Sequence, residues 1–167
     1  MTVPARTVAP GTSSTGRTLP GTERRRGFRR ALARHGLPEA VVLSGGTDEG
    51  AGARAAEQLL SSGRLPSAVT AFNDPVAIGL MERLARAGVR VPEDVSVAGY
   101  DDTAFAGLLA IDLTSVNQDA AAQGSVAVDV AVERLDGGRI DAAERVFEPR
   151  LVVRGSTAAH QHSPERV

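Results

Sequence analysis

Amide and carboxylate side chains follow two apolar runs that have the pattern of β-strands: Asn73 and Asp74 after the first, Asp101 and Asp102 after the second. In an open parallel sheet, ligands bind outside the carboxyl ends of the strands. Such side chains accept and donate hydrogen bonds to a polyhydroxylated ligand. The same residues also suit helix capping and loop solvation, so spacing alone leaves both interpretations open. We predict that Asp74 is a helix cap, with Pro75 at the first helical position.

Arg24 is a further candidate ligand contact within an arginine-rich segment. It precedes Phe28 by four residues and therefore shares the inward stripe of a predicted helix. Its guanidinium could reach into a cleft, but an arginine run is more often a solvated helix face, and spacing does not decide between the two. The neighbouring arginines, which point elsewhere, are Arg25, Arg26, Arg29 and Arg30.

The spacing of the candidate residues does not match any common enzyme motif. The glycines at 45, 46, 50 and 52 match neither the dinucleotide fingerprint nor a phosphate loop, and no Gly-x-Ser-x-Gly elbow occurs. His160 and His162 lie in a polar tail without a third metal ligand. Asp101 and Asp102 are adjacent on one loop, which gives no support to glycosidase chemistry. We therefore expect a non-enzymatic protein with no metal and no cofactor.

Composition narrows the class of protein further. The 167 residues carry a formal net charge of -1, and all the basic charge except histidine is arginine, so no overall field attracts a polyanion. The absence of cysteine suits a reducing cytosol. The chain contains neither a signal-like apolar stretch at its start nor a run long enough to span a bilayer. We expect a cytoplasmic protein that contacts no membrane.

The elements that must position these side chains alternate between strand and helix periodicity. This alternation predicts an α/β fold with a Rossmann-like parallel sheet and helices on both faces. We expect a loose segment over 1–21, containing at most a short edge strand over 6–9, a domain over 22–158, and a tail over 159–167. The predicted strands are Val41–Leu43, Ala68–Phe72, Val95–Gly99, Leu113–Val116 and Leu151–Val153. The predicted helices are Glu23–His35 capped by Thr22, one from Thr47 or Asp48 to Gly63, one from Pro75 to Gly88, and one from Asp119 to Leu135.

An ordered series of short motifs resembles the sensor domain of the LacI/GalR family of repressors from about Thr22 to Ala158. Each motif is weak by itself, but the order and spacing are specific. The series comprises Gly27-Phe28, Ala31-Leu32, Gly36-Leu37, Pro66-Ser67-Ala68-Val69, Asn73-Asp74, Ala77-Ile78-Gly79, the run from Gly88 to Val97, Gly99-Tyr100-Asp101-Asp102, Leu113-Thr114-Ser115-Val116 with Gln118, and the run from Glu148 to Thr157.

The resemblance implies a sensor of the periplasmic-binding-protein-like type, in which two Rossmann-like lobes close on a sugar or nucleoside-like effector. This chain is similar mostly to the second lobe. Carried over by position, Arg24 and Asn73 look like effector contacts, and Asp101 looks like the carboxylate that binds ligand hydroxyls. Gln118 resembles a residue of the cleft wall. The resemblance thus favours the binding interpretation for these residues over the capping and surface ones.

The same resemblance sets expectations about partners. A homodimer is expected, and DNA contact is expected only through a helix-turn-helix head that this chain lacks. The helix that ends at Leu135 would have an apolar face left exposed or covered by another chain. Two alternatives remain open: a solute-binding protein of the same fold, and a truncated fragment that binds nothing and pairs through its exposed face.

Overall fold

The computed structural model describes residues 7–11, 19–44, 46–137 and 145–159. Strands and helices alternate along most of this length, as the sequence predicts. In chain order the elements are β1 (Thr7–Gly11), α1 (Leu19–Arg34), β2 (Val41–Ser44), α2 (Glu49–Ser61), β3 (Ala68–Thr70), α3 (Asp74–Arg86), β4 (Ser96–Tyr100), β5 (Thr114–Asn117), α4 (Ala120–Leu135) and β6 (Arg150–Val152).

The strands form one six-stranded sheet in the order β2-β1-β3-β4-β5-β6. The first five are mutually parallel, whereas β6 runs antiparallel to β5. Because crossovers between parallel strands are right-handed as a rule, this strand order puts α1 on one face of the sheet and α2 and α3 on the other. The predicted α/β architecture is therefore confirmed, with one difference: β6 is an antiparallel edge strand, a common addition to such sheets.

The first strand lies in the interior of the sheet. The sequence predicts at most an edge strand over 6–9 within a loose segment 1–21, but β1 pairs with β2 on one side and with β3 on the other. Residues 19–21 already belong to α1. The prediction is wrong for these two stretches because the composition is typical of a loose chain, while backbone pairing on both sides stabilises β1 regardless of side-chain type. The predicted tail from 160 onward lies outside the described residues.

The first helix begins earlier than predicted and ends where predicted. It starts at Leu19, so Thr22 lies inside it instead of capping it. It ends before Gly36, whose φ of +64° allows Leu37 N to donate to the Leu32 carbonyl at 2.9 Å. A glycine in this left-handed conformation is a frequent C-terminal stop.

Asn73 caps α3; the prediction that Asp74 does so is wrong. Asn73 has extended backbone angles, and its side-chain oxygen accepts from Val76 N at 3.0 Å. Asp74 is instead the first residue of the helix and is completely buried, with Pro75 following it. Both residue types are good caps. Asp74 does not act as the cap because its side chain is buried in the core.

The core lies between the sheet and the α2–α3 pair. Leu80 and Leu84 of α3 pack against Val69 and Val97 of the sheet, and all four are almost fully buried. Burying each of these side chains contributes about 1.5–3 kcal/mol. The α3 helix is thereby fixed against β3 and β4, the two strands whose carboxyl ends carry candidate binding residues.

The α4 helix contributes no residue to the core. It has no buried residue, and Val128, Val132 and Leu135 are exposed. Within this chain the apolar face of the helix is therefore uncovered, and whether another chain covers it stays a prediction. Among the described residues, no helix has the length and apolar character needed to cross a membrane.

Candidate functional site

Arg24 reaches across the carboxyl edge of the sheet. Its Nη1 donates to the Phe72 carbonyl at 2.8 Å, and its Cζ lies 3.6 Å from the centroid of the Tyr100 ring and 5.0 Å from that of the Phe72 ring. Stacking on aromatic faces attracts a guanidinium electrostatically. The side chain of Arg24 is only 21% exposed. Its geometry therefore fits the cleft interpretation and not that of a solvated helix face.

Asp101 stands opposite Arg24, directly after β4. Its Oδ1 lies 3.9 Å from Arg24 Nη2 and accepts a hydrogen bond from Gln118 Nε2 at 2.9 Å. A third of its side chain is still exposed. Burial raises the pKa of this carboxyl, Arg24 lowers it, and the nearby Asp74 raises it further, so that the net shift is upward. The structure thus brings Arg24, Asp101 and Gln118 together around one partly desolvated carboxylate.

Asn73 lies at the same edge but has structural partners of its own. Besides capping α3, its Nδ2 donates to the Thr47 carbonyl at 2.8 Å. It directly follows Phe72, whose carbonyl holds Arg24. An amide has one further hydrogen and one further lone pair, so capping does not exhaust what Asn73 can bind. Asn73 thus takes the capping role that was predicted for Asp74, and its binding role stays a prediction.

Sequence reasoning missed a buried polar cluster behind this site. The Ser115 hydroxyl donates to Asp74 Oδ1 at 2.6 Å and accepts from Asp102 N at 3.1 Å, while Asp74 Oδ2 accepts from Thr103 N at 2.7 Å. Asp74 and Ser115 are separated by 41 positions in the chain. No local pattern joins residues so far apart, although Ser115 lies in one of the motifs that carry the family resemblance.

Asp102 faces away from Asp101 and joins a second set of partners. Its carboxylate accepts from Arg154 Nη2 at 2.7 Å and from Asn117 Nδ2 at 2.9 Å. Arg154 also donates to the Leu113 carbonyl. Burial alone would raise the pKa of Asp102, but the bonds from Asn117 and Arg154 outweigh it, and the pKa is lowered. The two adjacent carboxylates therefore have separate sets of hydrogen-bond partners.

The two neighbouring carboxyls should therefore ionise at different pH values. We expect Asp102 to titrate below Asp101 in a carboxyl ¹³C NMR titration. Asp102 then stabilises the fold above its ordinary pKa and loses that contribution as pH falls through its lowered folded pKa. Asp101 acts in the opposite sense, because its raised pKa makes stability increase as pH falls through that value. Titration of both carboxyls at one pH would contradict this assignment.

Metal binding receives no support from the part of the chain that the structure covers. Within it, no group of three or more histidine, cysteine, aspartate or glutamate side chains is arranged to hold a metal ion. His160 and His162 lie outside that part.

Comparison with known proteins gives consistent results. Residues 6–157 match the model of a periplasmic binding protein-like domain. The chain is 37% identical over 138 residues to the HTH-type transcriptional repressor PurR of Vibrio parahaemolyticus, covering 80% of this chain and 41% of that protein. It is 34% identical over 139 residues to the ribose operon repressor of Escherichia coli K12, covering 82% and 42%. A crystal structure of a LacI transcriptional regulator from a Rhodococcus species matches with a TM-score of 0.81 and 38% identity, covering 92% of this chain and 56% of that one. The chain thus spans about two fifths of the length of these curated relatives.

Proposed function

Because this chain belongs to the periplasmic binding protein-like domains and is a partial effector-binding domain of the LacI/GalR type, we propose that it binds a small polar effector at the carboxyl edge of its sheet. The effector is a sugar or a nucleoside-like metabolite. Arg24, Asp101 and Gln118 contact it, with Asn73 beside them. The observation that carries the proposal is the Asp101 carboxylate, which is partly desolvated, held by Arg24 and Gln118, and still one-third exposed.

The chemistry of these groups suits hydroxyl recognition. An ionised carboxylate only accepts hydrogen bonds, so Asp101 selects a ligand that offers hydroxyl donors. Arg24 and Gln118 supply donors for the oxygen atoms of the same ligand. A hydrogen bond to a charged group contributes about 1.5–3 kcal/mol. A ligand that lacks the matching hydroxyl covers the exposed part of the Asp101 carboxylate without donating a hydrogen bond to it and is rejected. The name of one relative, a ribose operon repressor, is consistent with this class of ligand.

Calorimetric titration of the chain with a panel of D-ribose, D-galactose, cellobiose, adenosine and guanosine tests the proposal. We expect saturable binding of at least one member of the panel, and a loss of at least about tenfold in affinity in Asp101→Ala. Asp129→Ala is the matched control, since Asp129 lies on α4, which has no buried residues. Unchanged affinity in Asp101→Ala would remove the proposed site.

In the intact protein, effector binding would bias a DNA-binding state. A coupling free energy of about 1–3 kcal/mol is typical of such regulation. We propose that DNA contact is made by a helix-turn-helix head of the kind named in the PurR relatives, and that the function breaks no bond. We therefore propose a non-enzymatic, cytoplasmic regulator.

A solute-binding protein of the same fold is the second candidate, favoured by the match to a periplasmic binding protein-like domain. A helix-turn-helix coding stretch immediately upstream would exclude it.

A homodimer is proposed on the surface near the C-terminal end of α3. An open groove of about 810 Å³ lies there, and Met81, Val89 and Ile111 are among its lining residues. The adjoining loop exposes two large apolar side chains, Phe105 and Leu109, the latter 95% exposed. Large exposed apolar side chains beside an open groove are typical of interaction sites.

Sedimentation velocity tests the dimer. We expect the wild-type chain to sediment as a dimer at micromolar concentration and Leu109→Glu to sediment as a monomer, because a charge at the contact loses its water on association. Since Leu109 is almost fully exposed, the variant should keep its circular dichroism spectrum. Weak dimers form at concentrations of about 100 μM. A wild-type chain that is still monomeric at that concentration would contradict the proposal.

A further inference from the structure

Three consecutive backbone N–H groups after β4 are each held by a different partner. Asp101 N donates to the Val116 carbonyl at 2.9 Å, and Asp102 N donates to Ser115 Oγ at 3.1 Å. Thr103 N donates to Asp74 Oδ2 at 2.7 Å. The loop that presents the Asp101 carboxylate is therefore tied to β5 and to the start of α3 at every residue.

The backbone of this loop needs such support. Asp101 and Asp102 have φ angles of +102° and +49°, in the left-handed region that favours glycine. A non-glycine residue held there costs about 1–3 kcal/mol. Asparagine and aspartate tolerate the region better than most residues, but two in succession persist only where the surroundings require it.

Asp74 is placed to impose that conformation. Asp74 and Ser115 are both completely buried. Because a carboxylate offers only acceptors, the Ser115 hydroxyl must turn its hydrogen toward Asp74, which leaves a lone pair for Asp102 N. Gly99 admits the carboxylate, since a Cβ at that position would lie 2.3 Å from Asp74 Oδ1.

Helix capping does not account for Asp74. The first-turn amide of α3 is already bound by Asn73, through Val76 N. Both side-chain bonds of Asp74 go instead to residues 29 and 41 positions away, Thr103 and Ser115. Its partners thus belong to the loop and the strand that surround the binding residues.

We infer that Asp74, directly through Thr103 and indirectly through Ser115, is a positioning residue that fixes the left-handed turn and aims the Asp101 carboxylate at Arg24. The inference rests on the proposed function, since it concerns the same site. Asp74 also acts on Asp101 by charge: after burial and the opposing effect of Arg24, its negative charge adds to the upward shift of the Asp101 pKa. A purely structural hydrogen-bonding group would lack this second effect.

Two ligand-free NMR measurements on the full chain test the inference. In Ser115→Ala we expect the amide of Asp102, which loses its acceptor, to exchange with solvent at least about tenfold faster than in wild type. In Asp74→Asn, where an NH2 group replaces one acceptor oxygen, we expect the same of the amide of Thr103. Amides of β3 and β4, such as that of Val97, should keep their protection. Asp129→Asn on α4 is the charge-matched control and should change neither.

The titration of Asp101 separates charge from hydrogen bonding. Asp74→Asn removes a negative charge and should lower the pKa of Asp101, whereas Ser115→Ala keeps that charge and should leave the pKa in place. Wild-type exchange at Asp102 and Thr103 in both variants, or an unchanged Asp101 pKa in Asp74→Asn, overturns the inference. Neither measurement needs a ligand, so its failure is distinguishable from a panel in which nothing binds.

Discussion

Gly79→Ala is expected to lower the free energy of unfolding by about 3 kcal/mol, the upper end of what overpacking a core costs. A Cβ on Gly79 would lie 2.0 Å from the carbonyl oxygen of Glu49 in α2, against the 3.4 Å at which ordinary contact begins. A Cβ on Gly52 of α2 would likewise lie 2.1 Å from the Val76 carbonyl oxygen in α3. Both obstacles are backbone atoms, so the helices must separate and loosen the neighbouring Leu80.

Urea denaturation followed by circular dichroism measures this effect. Gly124→Ala is the matched control, because Gly124 is also in a helix interior but a Cβ added there would have open space within 4 Å. Removing a helix glycine there should stabilise the protein by about 0.5–1 kcal/mol. If Gly79→Ala and Gly124→Ala shift the unfolding midpoint in the same direction, the close α2–α3 contact is not what holds these helices together.

Arg24→Met is expected to weaken effector binding by about a hundredfold, which corresponds to about 2.7 kcal/mol. The change removes the donor to the Phe72 carbonyl, the stacking on Tyr100 and the positive charge that faces Asp101. Without that charge the pKa of Asp101 should rise further, because Arg24 is the group that lowers it. At acidic pH a smaller fraction of the Asp101 carboxyls is then ionised, so fewer molecules present a carboxylate to the ligand.

The measurement is calorimetric titration of Arg24→Met beside Arg30→Met. Arg30 belongs to the same arginine-rich helix but is exposed, so its loss should leave affinity unchanged. Arg24→Lys adds a second comparison: lysine keeps the charge but lacks the planar group that stacks on the aromatic rings, so we expect an intermediate affinity. Equal affinities for Arg24→Met and Arg30→Met would contradict the role assigned to Arg24.

Local geometry is sufficient to predict part of this site. The four-residue separation of Arg24 and Phe28 places both on one helix face, and the structure puts Arg24 against the sheet edge. Asp101 follows a strand, and the carboxyl ends of parallel strands share one edge. The fold class is predictable for the same reason, since strand and helix periodicities are properties of short segments.

Contacts between distant segments are not predictable in this way. Asn73 and Asp74 are adjacent and both suit a helix cap; what decides between them is Ser115, which bonds Asp74 from β5. The pairing of Arg154 with Asp102 joins residues 52 positions apart. The interior place of β1 likewise depends on which strands flank it, and nothing within residues 7–11 indicates those neighbours.

NMR titration of the chain with the tightest-binding member of the panel is the most direct test of the central claim, that Arg24, Asp101 and Gln118 form one binding site. We predict that the Arg24 Nε–H signal and the Gln118 side-chain amide signal shift together and saturate with one Kd. The Met81 methyl signal, in the groove near the other end of α3, should not move. Saturable binding that shifts the Met81 methyl and leaves Arg24 and Gln118 unchanged would contradict the account.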